Sequence, residues 1–165
     1  YHSVNDQTVS LTVIDNDTAG FTVGSASLSI NEGQSRFISV VLDSQPTSNV
    51  VISASLSNAF DNRATLPNNV LTFTSGDWNV PQHITASAIH DFIDNGNVTN
   101  NITFTVVDAD SDDVFDSLPD QTTSLTIVDI DTAGFTLGTG SLTLIEGEND
   151  TISVSYTHLT LPTIE

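Results

Sequence analysis

The stretch DQTVSLTVIDNDTAGFTVGSASLSINEG, from Asp6 to Gly33, recurs as DQTTSLTIVDIDTAGFTLGTGSLTLIEG from Asp120 to Gly147, with no gap and 18 identities in 28 positions. The offset is 114 residues throughout. That period is longer than the ~20–50 residues of a solenoid coil and suits one small domain, so the repeat implies a window on a tandem array. The expected organisation is the last strand of one repeat in residues 1–17, a complete repeat in 18–131, and the start of the next in 132–154. Only the middle unit is then long enough to enclose a core of its own.

Within that unit the apolar residues alternate with period two: Val50, Ile52, Ala54 and Leu56; Leu71 and Phe73; Ile84, Ala86 and Ala88; Ile102, Phe104 and Val106; Leu125 and Ile127. Each set lines one face of a strand. The segments between them, SQPTSN, NAFDN, SGDWNVP and DFIDNGN, are rich in turn-forming residues, and none carries a helical stripe. About seven strands in ~110 residues predict an all-β fold, an antiparallel β-sandwich.

Composition narrows the function. Of 165 residues, 21 are Asp or Glu and two are basic, Arg36 and Arg63, for a formal charge of −19. Such a field repels phosphate backbones and anionic membrane surfaces and concentrates cations. Nucleic acid and membrane insertion are therefore poor expectations, and no apolar run approaches the ~18 residues of a membrane span. Cysteine is absent, which removes disulfides, zinc–thiolate sites and thiol catalysis. The chain lacks Met altogether and reads as an internal piece of something longer.

The echo of the repeat holds through Ile152, Ser153 and Val154 and then stops. The following VSYTHLTLPT back-translates to a string that resembles read-through of a transposase-based sequencing-library adapter. Residues 155–165 are therefore expected to be foreign to the protein, and Tyr156 and His158 are set aside.

Residues two apart on a strand share a face at about 6–7 Å, so Asp15 with Asp17, and Asp129 with Asp131, can direct carboxylates toward one hard cation. The competing reading is that such aspartates only form turns by bonding to nearby backbone N–H groups. Calcium takes 6–8 oxygen ligands, more than one D-x-D pair supplies, so other loops must contribute. DADSDDVFD, from Asp108 to Asp116, starts like an EF-hand loop but has Asp113 at the glycine position and Pro119 in place of the final Glu. It reads as a solvated loop. No catalytic motif surrounds His2, His83 or His90, and the expectation is that the chain is not an enzyme.

SINEG (Ser29 to Gly33), LTFTSGDWNVPQHITASAIHDFIDNGN (Leu71 to Asn97) and the closing TIVDIDTAGF resemble the Calx-beta repeat family, in the variant common in very large bacterial surface proteins. The resemblance covers essentially the whole middle unit and both flanks. It implies an immunoglobulin-like β-sandwich with calcium held at one end by an early Glu, an acidic loop and a terminal D-x-D. In this chain those are Glu32, with Glu146 its partial counterpart; Asp91 and Asp94 in HDFIDNGN; and Asp129 with Asp131. The loop is less acidic than the family pattern, which implies at most one weakly held calcium ion per junction.

The function so implied is a non-enzymatic spacer repeat of a secreted or surface-anchored, adhesin-like bacterial protein. Its partners would be the neighbouring repeats and calcium, its location extracellular or at the cell surface. Two alternatives accompany it. One is an adhesive module that binds a surface glycan or protein through Trp78, a residue that otherwise caps the sandwich. The other is an accessory domain of a secreted hydrolase.

Overall fold

The computed structural model describes residues 5, 7–57 and 62–157. His2, Asp6, His158 and most of the NAFDN segment lie outside them, as does 158–165 of the expected foreign tail.

Nine strands carry the alternation noted above. They are β1 (Phe21–Val23), β2 (Ser27–Asn31), β3 (Ser35–Leu42), β4 (Val50–Leu56), β5 (Ala64–Thr65), β6 (Val70–Phe73), β7 (Gln82–Ala88), β8 (Val98–Val106) and β9 (Gln121–Val128). One sheet runs β1-β3-β7-β5 and the other β2-β9-β8-β4-β6. The expected seven become nine because the first strand is split between the sheets as β1 and β2, and a two-residue β5 is added. All pairings within the two sheets are antiparallel except β2 with β9, which run parallel with Ile30 opposite Ile127. A strand that crosses between sheets must leave its first partner, and here it pairs with the last strand.

The inward residues of both sheets meet in one core that extends from Phe21 to Ile127. Ile38, Val40, Ile84 and Ala86 on one side face Ile52, Ile102, Phe104 and Leu125 on the other, all essentially inaccessible to water. Each such side chain contributes about 1.5–3 kcal/mol on burial. Trp78 is partly buried and packs against this core, and its carbonyl accepts the Leu42 amide at 3.2 Å.

Period two does not stop where the apolar residues do. Leu28 and Ile30 in β2 are followed in the same parity by Glu32; Ala86 and Ala88 in β7 by His90; Leu125 and Ile127 in β9 by Asp129 and Asp131. Three strands drawn from both sheets thus deliver polar side chains to one end of the sandwich. Gly33 closes that end, where the chain passes from β2 into β3 at φ +75. Its amide donates to Ala88 O at 3.0 Å, one residue after the Glu32 amide donates to Val128 O at 3.1 Å. Gly33→Ala is expected to cost about 1–2 kcal/mol from the left-handed backbone alone, read as a lower urea midpoint with an unchanged slope.

The opposite end is tied by Asp112. The DADSDDVFD loop holds a short 3-10 turn at Asp108–Asp110, but it is not simply solvated: Asp112 is 4% and Phe115 1% exposed. Asp112 Oδ2 accepts from Thr47 N and Thr47 Oγ1, both at 2.7 Å, and from Ser48 N at 3.0 Å. The turn between β3 and β4 has no strand to take up these donors, and a buried carboxylate takes that place.

Two further strands, β10 (Phe135–Leu137) and β11 (Val154–Tyr156), pair by themselves with Phe135 opposite Tyr156. This is the β1–β3 register, Phe21 opposite Leu42, displaced by 114 residues. Finer details shift with it. Gly24 N donates to Ser39 O, and Gly138 N to Ser153 O, both at 2.8 Å. A Cβ on Gly24 would lie 2.1 Å from Ser39 Oγ, and one on Gly138 2.0 Å from Ser153 Oγ. Ser155 and Tyr156 of the expected foreign tail thus stand at the positions of Val41 and Leu42. A backbone ladder tolerates that while neither face is buried: Tyr156 is 60% exposed.

Residues 7–20 form no strand, although 1–17 is expected to be the last strand of a preceding repeat. Val9, Leu11 and Val13 are almost fully exposed, whereas their counterparts Thr123, Leu125 and Ile127 are buried. The counterparts lie between β8 and β2; the N-terminal segment has neither neighbour.

Candidate metal centre

Glu32 sits at the β2 end of the sandwich, 1% exposed. Neither Oε1 nor Oε2 has a hydrogen-bond partner. Burial raises its pKa above the ordinary carboxylate value, and the charges of Asp91, Asp129 and Asp131 raise it further, against a smaller lowering by Arg63. A buried carboxylate in this position costs folding free energy unless a proton or cation joins it.

His90 and Asp131 stand beside it. His90 Nε2 lies 3.0 Å from Asp131 Oδ1, with 31% of the imidazole side chain and 6% of the Asp131 side chain exposed. One ligand atom from each of Glu32, His90 and Asp131 falls within 4.8 Å of the others. The hydrogen bond to Asp131 raises the His90 pKa, opposed by desolvation and supported by the charges of Asp131, Glu32 and Asp91. The Phe92 ring lies over the imidazole, centroids 4.0 Å apart, on a residue with φ 61. That conformation is unusual for a bulky side chain.

The other expected ligands are engaged with backbone. Asp129 Oδ2 accepts the amides of Asn95 at 2.7 Å and Gly96 at 2.5 Å, and Oδ1 accepts the Asp131 amide at 2.8 Å. These bonds, led by the one from Asp131, lower its pKa. Asp91 Oδ1 takes the Ile93 amide at 2.9 Å and Oδ2 the Asn95 side-chain amide at 2.8 Å. Asp94 Oδ2 takes the Ala133 amide at 2.9 Å. Arg63 Nη1 donates to Asn95 Oδ1 and, at 2.8 Å, to Gly96 O. The 91–97 loop is thereby laced to the end of β9 before any ligand arrives.

In both copies of D-x-D the first aspartate caps the second: Asp17 N to Asp15 Oδ1 at 3.0 Å, and Asp131 N to Asp129 Oδ1 at 2.8 Å. The turn reading thus describes Asp129, while Asp131 faces His90 and Glu32. His90 is the member that motif reasoning passed over. Its signal was the parity of Ile84, Ala86 and Ala88 carried one step past the strand.

No protein-family profile matches the chain, and no curated protein matches it in sequence. Solved structures resemble it in shape. The apo-form Calx CBD1 domain gives a TM-score of 0.51 at 12% identity over 70% of this chain and 100% of that one. The calcium binding domain CBD12 of CALX1.1 gives 0.50 at 14%, over 78% and 54%. A chaperone–tip adhesin complex of CFA/I fimbriae gives 0.51 at 11%, over 73% of this chain and 60% of that one. These likenesses define the class: an immunoglobulin-like β-sandwich. At such identities they carry the fold and not membership of the Calx-beta family. This chain spans 60% of the fimbrial chain it matches. Among the described residues no helix is long and apolar enough to cross a membrane.

Proposed function

We propose that the chain is a non-enzymatic spacer repeat of a large secreted or surface-anchored bacterial protein, in which a divalent cation, calcium in the first instance, stiffens the junction between successive sandwiches. One observation carries this reading: Glu32 is buried with both carboxylate oxygens unpartnered, beside Asp131, at the boundary where the 114-residue register restarts. Without a cation, Glu32 and Asp131 repel each other across a short gap; with one, they are bridged and the segment leading to β10 is held. Support comes also from the acidity of the chain and from a structural neighbour whose title names a calcium binding domain. The sandwich lines 18–131, and the next repeat opens at 132.

With one or two carboxylates per ion, affinity falls in the weak extracellular range of about 10⁻⁴–10⁻³ M. In a tandem of two 114-residue units, about 5 mM calcium is expected to change the hydrodynamic radius and slow amide exchange across 129–134, both reversed by chelation. A radius and exchange pattern indifferent to calcium would remove the stiffening mechanism.

A further inference from the structure

The centre is not all oxygen. Calcium draws 6–8 oxygen ligands at about 2.3–2.6 Å. Three of the five expected carboxylates, Asp91, Asp94 and Asp129, already accept N–H groups. What converges instead is one imidazole nitrogen and two carboxylates, with the ligand atoms of Glu32, His90 and Asp131 within 4.8 Å of one another. Imidazole with carboxylate is a donor set for zinc and its first-row neighbours, which bind nitrogen far better than calcium does.

Spacing agrees. Bonds of about 2.0–2.2 Å to a tetrahedral ion put ligand atoms roughly 3.3–3.6 Å apart. His90 Nε2 and Asp131 Oδ1 are at 3.0 Å already. Glu32 supplies what an acidic cluster alone lacks: a side chain 1% exposed with both oxygens unpartnered, pointed at the other two donors. Closing its remaining gap takes at most about 1.5 Å of side-chain movement. Three protein donors leave a fourth position for water or for a group from the following repeat.

We propose that Glu32, His90 and Asp131 form a mixed nitrogen–oxygen centre for a zinc-type transition-metal ion. The proposal rests on the reading of this end of the sandwich as a cation site and narrows which ion it prefers.

The test is isothermal titration of the full chain, stripped with chelator, using ZnCl₂ and CaCl₂ separately, with visible absorption on CoCl₂ addition as a coordination signature. One equivalent of zinc is expected to bind about 100-fold more tightly than calcium, and cobalt to give a spectrum of low-symmetry, four-coordinate type. His90→Gln and His90→Ala are each expected to weaken zinc about 100-fold while leaving calcium within about twofold. Both retain a cooperative melt, since the imidazole is partly exposed. His83→Gln, on the exposed side of β7, leaves zinc binding unchanged.

Zinc no tighter than calcium, or zinc binding indifferent to both His90 substitutions, overturns the proposal. If calcium nevertheless binds in a Glu32-dependent way, the broader cation reading stands alone. If neither ion binds, both fall.

Discussion

Asp112→Ala is expected to destabilise the sandwich by about 3 kcal/mol, the largest effect of any single surface-loop change. The substitution removes the acceptor for Thr47 N, Thr47 Oγ1 and Ser48 N, and for Val114 N at 3.2 Å from the second oxygen. Each stranded donor at a buried site costs about 1–3 kcal/mol less whatever water recovers. The same bonds, led by the Thr47 hydroxyl, hold the Asp112 pKa down to about 2 from 3.8. Because the folded pKa is depressed, the unfolded chain takes up the proton first. The Asp112 contribution is therefore complete above pH 3.8 and is lost as pH falls toward about 2. Urea titrations at neutral pH and near pH 3 check both parts. The variant should have a lower midpoint at neutral pH and a shallower loss in acid; equal midpoints at neutral pH would contradict the role given to Asp112.

Glu32→Gln carries the second large effect, and its sign runs against the usual outcome of a buried substitution. In metal-free protein at neutral pH it is expected to raise stability by about 1–2 kcal/mol, because it removes a charge that has no hydrogen-bond partner and faces other carboxylates. The folded pKa of Glu32 is raised above 4.5. The ionised side chain thus weakens the fold as pH climbs through that raised value, and the penalty is absent below 4.5. The advantage of the variant should accordingly vanish in acid. Chemical denaturation in chelator at neutral and acid pH measures it; a destabilised variant at neutral pH would mean that Glu32 has a structural partner.

Much of the sandwich is readable from Val50, Ile52 and Ala54, or Ile102, Phe104 and Val106, since a strand buried on one face imposes period two on its own residues. What local pattern does not carry is the partner. The split of the first strand into β1 and β2, and the parallel pairing of β2 with β9, depend on which sheet edge is available after folding. Residues 7–14 make the same point in reverse: they repeat the β9 sequence, yet without neighbours they form no strand.

At the candidate centre, Glu32 and Asp131 are legible as acidic residues at strand ends. The different tasks of Asp129 and Asp131 are not, because the choice between a backbone amide and a facing side chain is made by the 91–97 loop. His90 was legible in principle. A histidine is commonly weighed against catalytic motifs, whereas here strand parity, set against that of Glu32, is the informative property. Asp112 shows the converse, a residue in an acidic run whose role arises only when the β3–β4 turn packs against it.

The most direct test of the account is the thermal midpoint of the full chain, stripped with chelator, before and after a divalent cation is added, compared between wild type and Glu32→Gln. With calcium at about 5 mM and a dissociation constant of about 10⁻⁴–10⁻³ M, wild type should gain about 1–2 kcal/mol, a rise of about 4–8 °C. Glu32→Gln should start higher and gain nothing. If calcium and zinc both leave wild type where it began, or move the variant equally far, the buried end of the sandwich is not a cation site.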